Sequence, residues 1–282
     1  MFFSAIFTHL GSVGNLSRSM DRKNFAAKVK CYQEIVVSSS IFAMVVTRKF
    51  VWSILILVFT MTACGNRCKR LEGPRQEYFS PVGRATKFIL STPAEMTIVK
   101  DTLASSLLEV IAQPEVFDEL NIETSETTCE VSMNACFKDQ ETTLLSTRMK
   151  EIRSIEFTSA GEIRSGDLIE QDTIFIENSG LGDIDLLLLS ENVKANSTSS
   201  GNIILAGETT NLTTTSSGSG ELSAFNLFSD TVRIGNIGSG VIEVYANKYL
   251  EVHFLKPTTV RYRGNPSKIN IEGEGNLVDA NL

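Results

Sequence analysis

Histidine is almost missing from this chain: of 282 residues only His9 and His253 are histidines, and Trp52 is the single tryptophan. Few groups are therefore left to exchange protons near neutral pH, which weighs against acid–base catalysis. Positive charge is scarce as well. Residues 1–63 hold seven of the 26 Lys/Arg and two of the 33 acids, so the remainder carries 19 basic and 31 acidic residues, a net of −12. A body of that sign repels polyphosphate, which excludes nucleic acid as a partner. Helical periodicity is absent too, apart from one short turn allowed at Pro114–Leu120. What is present is apolar material. A hydrophobic fraction of 42% with 16 Phe can fill a continuous core and excludes a disordered chain.

The first apolar run begins at Met44. Arg48 and Lys49 form a positive n-region, Phe50–Phe59 an h-region, and Met61-Thr62-Ala63 leads into Cys64. This order is that of a secretory signal and is short for a membrane-spanning helix, although a retained signal anchor is the alternative. The cysteine at the cleavage point resembles a bacterial lipobox, with Met61 departing from the usual Leu. The resemblance implies a signal peptide over residues 44–63 and lipidation of Cys64. No Asp follows Cys64, which in a lipoprotein implies the outer membrane, with the domain facing the periplasm or the cell surface. Residues 1–43, polar and patternless ahead of a complete signal, are expected to be an over-extended gene start without structure. Residues 64–85, with Gly73-Pro74 as a turn, read as a tether.

In an oxidising compartment Cys68, Cys129 and Cys136 remain. A turn near Met133-Asn134-Ala135 would join Cys129 to Cys136 as a hairpin staple; two buried free thiols are the alternative. Their spacing matches no zinc site, so no metal is expected.

From Thr86 onward short strands are expected: Thr86–Leu90, Met96–Val99, Leu107–Ala112, Leu120–Thr124 and Thr128–Met133. The C-terminal half then repeats itself. An anchor, glycine in all copies but one, recurs at Gly161, Gly182, Gly201, Gly220, Gly240, Thr258 and Gly275, at intervals of 21, 19, 19, 20, 18 and 17 residues. Two residues past every anchor stands an aliphatic: Ile163, Ile184, Ile203, Leu222, Ile242, Val260 and Leu277. A second strand follows in each copy, as in Val193-Lys194-Ala195 and Val232-Arg233-Ile234, with two inward positions flanking one outward. A unit so small cannot bury its own apolar face, whereas stacked copies can. The fold expected over residues 86–282 is all-β, a parallel β-helix-like solenoid of about 20-residue coils preceded by short N-terminal strands. An antiparallel sandwich with glycine-rich hairpins is the alternative.

The segment Val232–Asn247 and the ending Gly264–Gly273 resemble the autotransporter-adhesin head GIN domain family, common in lipoproteins of the Bacteroidetes. The resemblance runs from about Phe88 to Leu282 and is strongest from Ile174; Phe254–Thr259 departs from it where a Ser-Gly-Ser-Gly turn belongs. It implies an all-β, β-helix-like domain at the cell envelope.

Four places carry residue types that could do chemistry. His253 reads as a strand residue without a nucleophile. Ser217-Gly218-Ser219-Gly220 lacks the strand-to-helix context of a nucleophile elbow. Gly235–Gly238 precedes no helix that could receive phosphate. Asp183 and Asp185, with Glu170 or Asp172, read as solvated turn acids more readily than as a cation site. The outward stripes show no clustered carboxylates and no aromatic platform for sugar rings, and the Thr209–Ser219 run suggests a flat hydroxyl surface. No catalytic residue, cofactor or metal is assigned. The expected function is a lipid-anchored, non-enzymatic solenoid for adhesion, ligand binding or scaffolding, with glycan or an envelope protein as partner. A polysaccharide lyase or hydrolase on a β-helix is the alternative, and an envelope assembly factor a third reading. Ala280-Asn281-Leu282 supplies no evident cap, so homo-oligomerisation is also expected.

Overall fold

The computed structural model describes residues 68–100, 106–149 and 151–281. The N-terminal extension, the signal segment and Cys64 lie outside the described residues. The chain enters through β1 (Lys69–Arg70), β2 (Gln76–Pro81), β3 (Lys87–Ser91) and β4 (Ala94–Lys100). It continues as β5 (Leu107–Ala112), the helical turn α1 (Pro114–Glu119), β6 (Leu120–Thr124), β7 (Thr128–Met133), β8 (Phe137–Lys138) and β9 (Leu144–Met149). Each strand expected from Thr86 to Met133 is present within two residues at either end, and the helical turn falls where Pro114 at its start favours one.

The order of stacking differs from the order of the chain. β3 and β4 form one rung, and β7 and β9 lie parallel on one side of it, pairing Cys129 with Phe88 and Leu145 with Met96. On its other side lie β10 (Ser154–Phe157) and β11 (Gly161–Ser165), also parallel. The first rung formed is thus enclosed by two made later. Outside β7 and β9 the pairing turns antiparallel: β5 on β9, β2 on β5, and β6 on β7. These strands cover what would otherwise be a bare solenoid edge. α1 packs beside them, with Val116 buried and the Phe117 ring stacked on Tyr78 at 3.8 Å.

This cap corrects two expectations. Residues 68–85 are not tether: β2 is hydrogen-bonded into the sheet, and Val82 and Ala85 are buried. The disulfide joins Cys68 to Cys136, not Cys129 to Cys136. The residues around Cys129 extend as strand β7 instead of closing a hairpin, so its side chain points into the core against Phe88. Cys129 is a buried free thiol, and burial pushes its pKa up to about 11. Cys136 lies past the end of β7, next to the short parallel pair of β1 and β8, where Cys68 reaches it.

From β12 (Ile169–Asn178) onward the coils follow chain order. β13 (Asp183–Ser197), β14 (Ile203–Ser216), β15 (Leu222–Asn236) and β16 (Ile242–Phe254) stack parallel; β17 (Thr259–Arg263), β18 (Lys268–Gly273) and β19 (Asn276–Asp279) complete the pile. The result is a β-solenoid of about 19 residues per coil. Every neighbour contact in this part is parallel, which excludes the antiparallel sandwich. The aliphatics two past the anchors stand in one column, Ile163 on Ile184 on Ile203 on Leu222 on Ile242 on Val260 on Leu277. A second column passes through Ile176, Ala195, Thr214, Ile234 and Val252. Burying a side chain of this size stabilises by about 1.5–3 kcal/mol.

Thr214 interrupts the second column. It is fully buried, and its hydroxyl has no hydrogen-bond partner among the described residues. Valine has nearly the same shape and removes that desolvated oxygen. Thr214→Val is therefore expected to raise unfolding stability by about 1–2 kcal/mol, seen as a higher urea midpoint. A lower midpoint would show that the hydroxyl is bonded after all.

The C-terminal end is modestly closed. Asn281 donates to the Gly264 carbonyl at 2.8 Å and accepts the Gly264 N–H at 3.0 Å, so its amide imitates one further backbone unit. The expectation that Ala280-Asn281-Leu282 supplies no cap is corrected to that extent. Ile269 and Ile271 of the final rung nevertheless remain exposed.

Candidate functional site

Alternation along the long strands decides which side chains face solvent. On β13 the order around the corner is Leu188 inward, Leu189 outward, Ser190 inward. At the corner the inward hydroxyls hold the bend. Ser190 Oγ reaches the Asn192 carbonyl at 3.1 Å, Thr209 Oγ1 the Asn211 carbonyl at 3.3 Å, and Ser229 Oγ the Leu227 carbonyl at 3.0 Å. The Thr209–Ser219 run is accordingly not a flat hydroxyl surface. Thr209, Thr214 and Ser216 point inward, and only the alternate members, Thr210, Thr213 and Thr215 among them, face out.

The outer wall is not uniform, because the coils differ in length at this corner. Inward Ile203 to inward Leu212 is nine residues, Leu222 to Val232 is ten, and Ile242 to Leu250 is eight. The pairing consequently slips between Ile204 and Ala206 on one side of β15 and between Ala224 and Phe228 on the other. Gly207, at φ +112°, admits the bend on β14; a side chain there would run into the Leu188 carbonyl.

The slipped corner opens a groove of about 370 Å³ across β13 to β16. Along its floor Leu189, Glu208, Phe228 and Tyr245 occupy successive coils. Phe228 is 53% exposed, and Tyr245 supports it edge-on, with ring centroids 4.9 Å apart and planes at 80°. Thr210, Asp230 and Asn247 form the adjoining rim. Asp230 is held from one side by Lys248 at 2.7 Å and by the Asn247 amide at 3.2 Å, and these two, the lysine foremost, keep its carboxyl below the usual range. The outward residues thus include an aromatic pair that the repeat pattern does not reveal. Phe228 and Tyr245 are 17 residues apart in the sequence, and only the slipped register brings them together.

The other residues singled out for chemistry are dispersed. His253 lies exposed on β16, 4.0 Å from Glu272. Glu170 is paired with Lys100 at 2.8 Å, and Asp183 accepts the Asn202 N–H at 2.9 Å. The Ser217–Gly220 turn stacks on the turn of the previous coil through Ser217 N–H to the Ser197 carbonyl.

The fold is thus a parallel β-solenoid that carries an exposed aromatic pair, Phe228 and Tyr245, on its outer wall. More particularly, residues 86–266 match the family described as "Putative auto-transporter adhesin, head GIN domain", and the chain belongs to that family. Family membership marks it as adhesin-like and suggests a surface- or envelope-associated protein. Among solved structures, a putative adhesin from Bacteroides fragilis is similar at 17% identity, with a TM-score of 0.71 over 74% of this chain and 98% of that one. A putative lipid binding protein from Parabacteroides distasonis is similar at 17% identity and a TM-score of 0.63, over 76% and 100%. A putative adhesin from Parabacteroides merdae follows at 14% identity and 0.56, over 76% and 99%. These likenesses show the fold. No curated protein matches the chain.

Proposed function

We propose that the chain is a lipid-anchored adhesin-type recognition domain of the cell envelope, without catalytic activity, that engages its ligand through the groove on its outer wall. The groove carries the reading, since exposed Phe228 and Leu189 line a concave site and are set there among hydrogen-bonding groups. The hydrolase alternative needs a carboxyl kept protonated to act as acid. In the groove Asp230 is in the opposite condition, its carboxyl kept below the usual range by Lys248 and Asn247; the carboxyl that burial and Glu77 push up, Glu109, lies away from the groove on β5.

The lipid enters through Cys64. Only Gly65, Asn66 and Arg67 separate it from Cys68, a spacer of at most about 14 Å. A diacylated Cys64 would keep the N-terminal cap close to the bilayer, most consistently the outer membrane. The test is expression of the full chain in a Bacteroidetes host fed an alkyne-labelled fatty acid. Label and membrane association are expected in the parent and lost in Cys64→Ser. Label persisting in Cys64→Ser would refute the anchor.

A further inference from the structure

We infer that the groove across β13 to β16 binds a neutral saccharide, with Phe228 as the stacking face; this rests on the recognition reading above and names the chemistry of its ligand. The groups available to a ligand are carboxylates, an amide and the hydroxyls of Thr210 and Tyr245. The hydroxyls of Ser190, Thr209 and Ser229 spend their protons on backbone carbonyls. Asn247 directs one amide N–H to Asp230, leaving its carbonyl oxygen and its second N–H. Glu208 and Asp230 are carboxylates, and no cation lines the groove. Lys248, at the rim, is already bound to Asp230. A ligand that fits this lining brings donors for the two carboxylates, hydroxyls for the groups that both give and accept, and no negative charge.

Shape narrows the class further. Phe228 is half exposed and braced by Tyr245, with polar groups lining the groove around it. A sugar ring has the matching construction, with C–H groups on one face and hydroxyl donors around the rim. An acyl chain does not fit, because lying along the groove it would desolvate Glu208 and Asp230 without returning a hydrogen bond. An extended peptide adding a strand does not fit either, because β13, β14, β15 and β16 each have backbone partners on both sides and offer no free edge. Uronic acids, sialic acids and phosphorylated glycans would face two carboxylates.

The test is a glycan array carrying neutral, amino and anionic oligosaccharides, probed with the full chain and followed by titration calorimetry on the strongest hit. Neutral glycans are expected to bind, with affinity falling roughly tenfold or more in Phe228→Ala and in Asn247→Ala. Thr213→Ala, on the next face of the coil, should bind like the parent, and equal melting temperatures will show that all variants are folded. A blank array, preference for anionic or amino glycans, or unchanged affinity in Phe228→Ala would overturn the assignment. Chain-coated beads tested in parallel for attachment to bacterial and epithelial cells separate the two readings. Attachment with a blank array leaves recognition standing and removes the saccharide, whereas no attachment with a blank array removes both.

Discussion

Gly201→Ala is expected to destabilise the domain by about 3 kcal/mol or more, although it adds a single methyl group. Gly182, Gly201, Gly220 and Gly240 stand one above another at the turn, each against the carbonyl of the one before. A β-carbon on Gly201 would run into the Gly182 carbonyl oxygen, and would lie 2.8 Å from Asn178 Nδ2 and 2.9 Å from the Gly180 carbonyl oxygen. These neighbours are backbone or a bonded amide, since Asn178 Nδ2 donates to the Gly182 carbonyl at 2.8 Å. Nothing there can swing away, so the coils must separate. In a solenoid each coil leans only on its neighbours, and a gap between two coils weakens the whole pile. Gly235→Ala is the contrast. A β-carbon there would meet only the Thr215 methyl, at 3.5 Å. That substitution should be neutral or slightly stabilising, because alanine loses less backbone entropy on folding. Denaturant unfolding of the two variants measures the difference. Equal midpoints would mean that the glycine column is not held at backbone contact.

The same column explains why the C-terminal coils were legible from the sequence. Where each coil stacks on the next at nearly constant length, the anchor glycine and the aliphatic two residues later must recur at that length. Ile184, Ile203, Leu222 and Ile242 therefore fall in one line from spacing alone. The outward residues Lys194, Thr213, Arg233, Glu251 and Asn270 were ordered by the same rule, and their register agrees.

The N-terminal cap was not legible in this way, although its strands were. Strand boundaries depend on local pattern, and β3 to β7 obey it. Which strand lies beside which depends on long-range pairing, and here β9 crosses back to lie against β4 while β5 turns antiparallel beside it. No repeat length encodes that. The disulfide was misassigned for a related reason: sequence proximity favoured Cys129 with Cys136, whereas strand alternation had already turned Cys129 inward. The groove was missed although its signal was present. Successive spacings of nine, ten and eight residues across one corner mark coils that cannot align there, and the aromatic pair sits at that misfit.

Loss of the Cys68–Cys136 disulfide is expected to have the other large effect, and to be local. The bridge spans 68 residues, and closing a loop of that length restricts the unfolded chain by roughly 4 kcal/mol on the chain-entropy account. That loop contains the strands that cover the first rungs, β2, β5 and β6. In Cys68→Ala/Cys136→Ala those strands should open before the rest, while β13 to β16 keep their stacked neighbours on both sides. Hydrogen exchange should therefore quicken at Tyr78, Val110 and Ile122 and stay slow at Leu186, Leu205 and Val244. Rearrangement to a substitute bridge is not expected when Cys68 alone is replaced. Cys129 is sealed in the core with its pKa near 11, so almost none of it is thiolate at neutral pH. Uniform acceleration across both sets of amides would show that cap and coils unfold as one unit. A Cys129–Cys136 bridge recovered from Cys68→Ala would show that β7 opens too and exposes its thiol, so that the opening reaches beyond β2, β5 and β6.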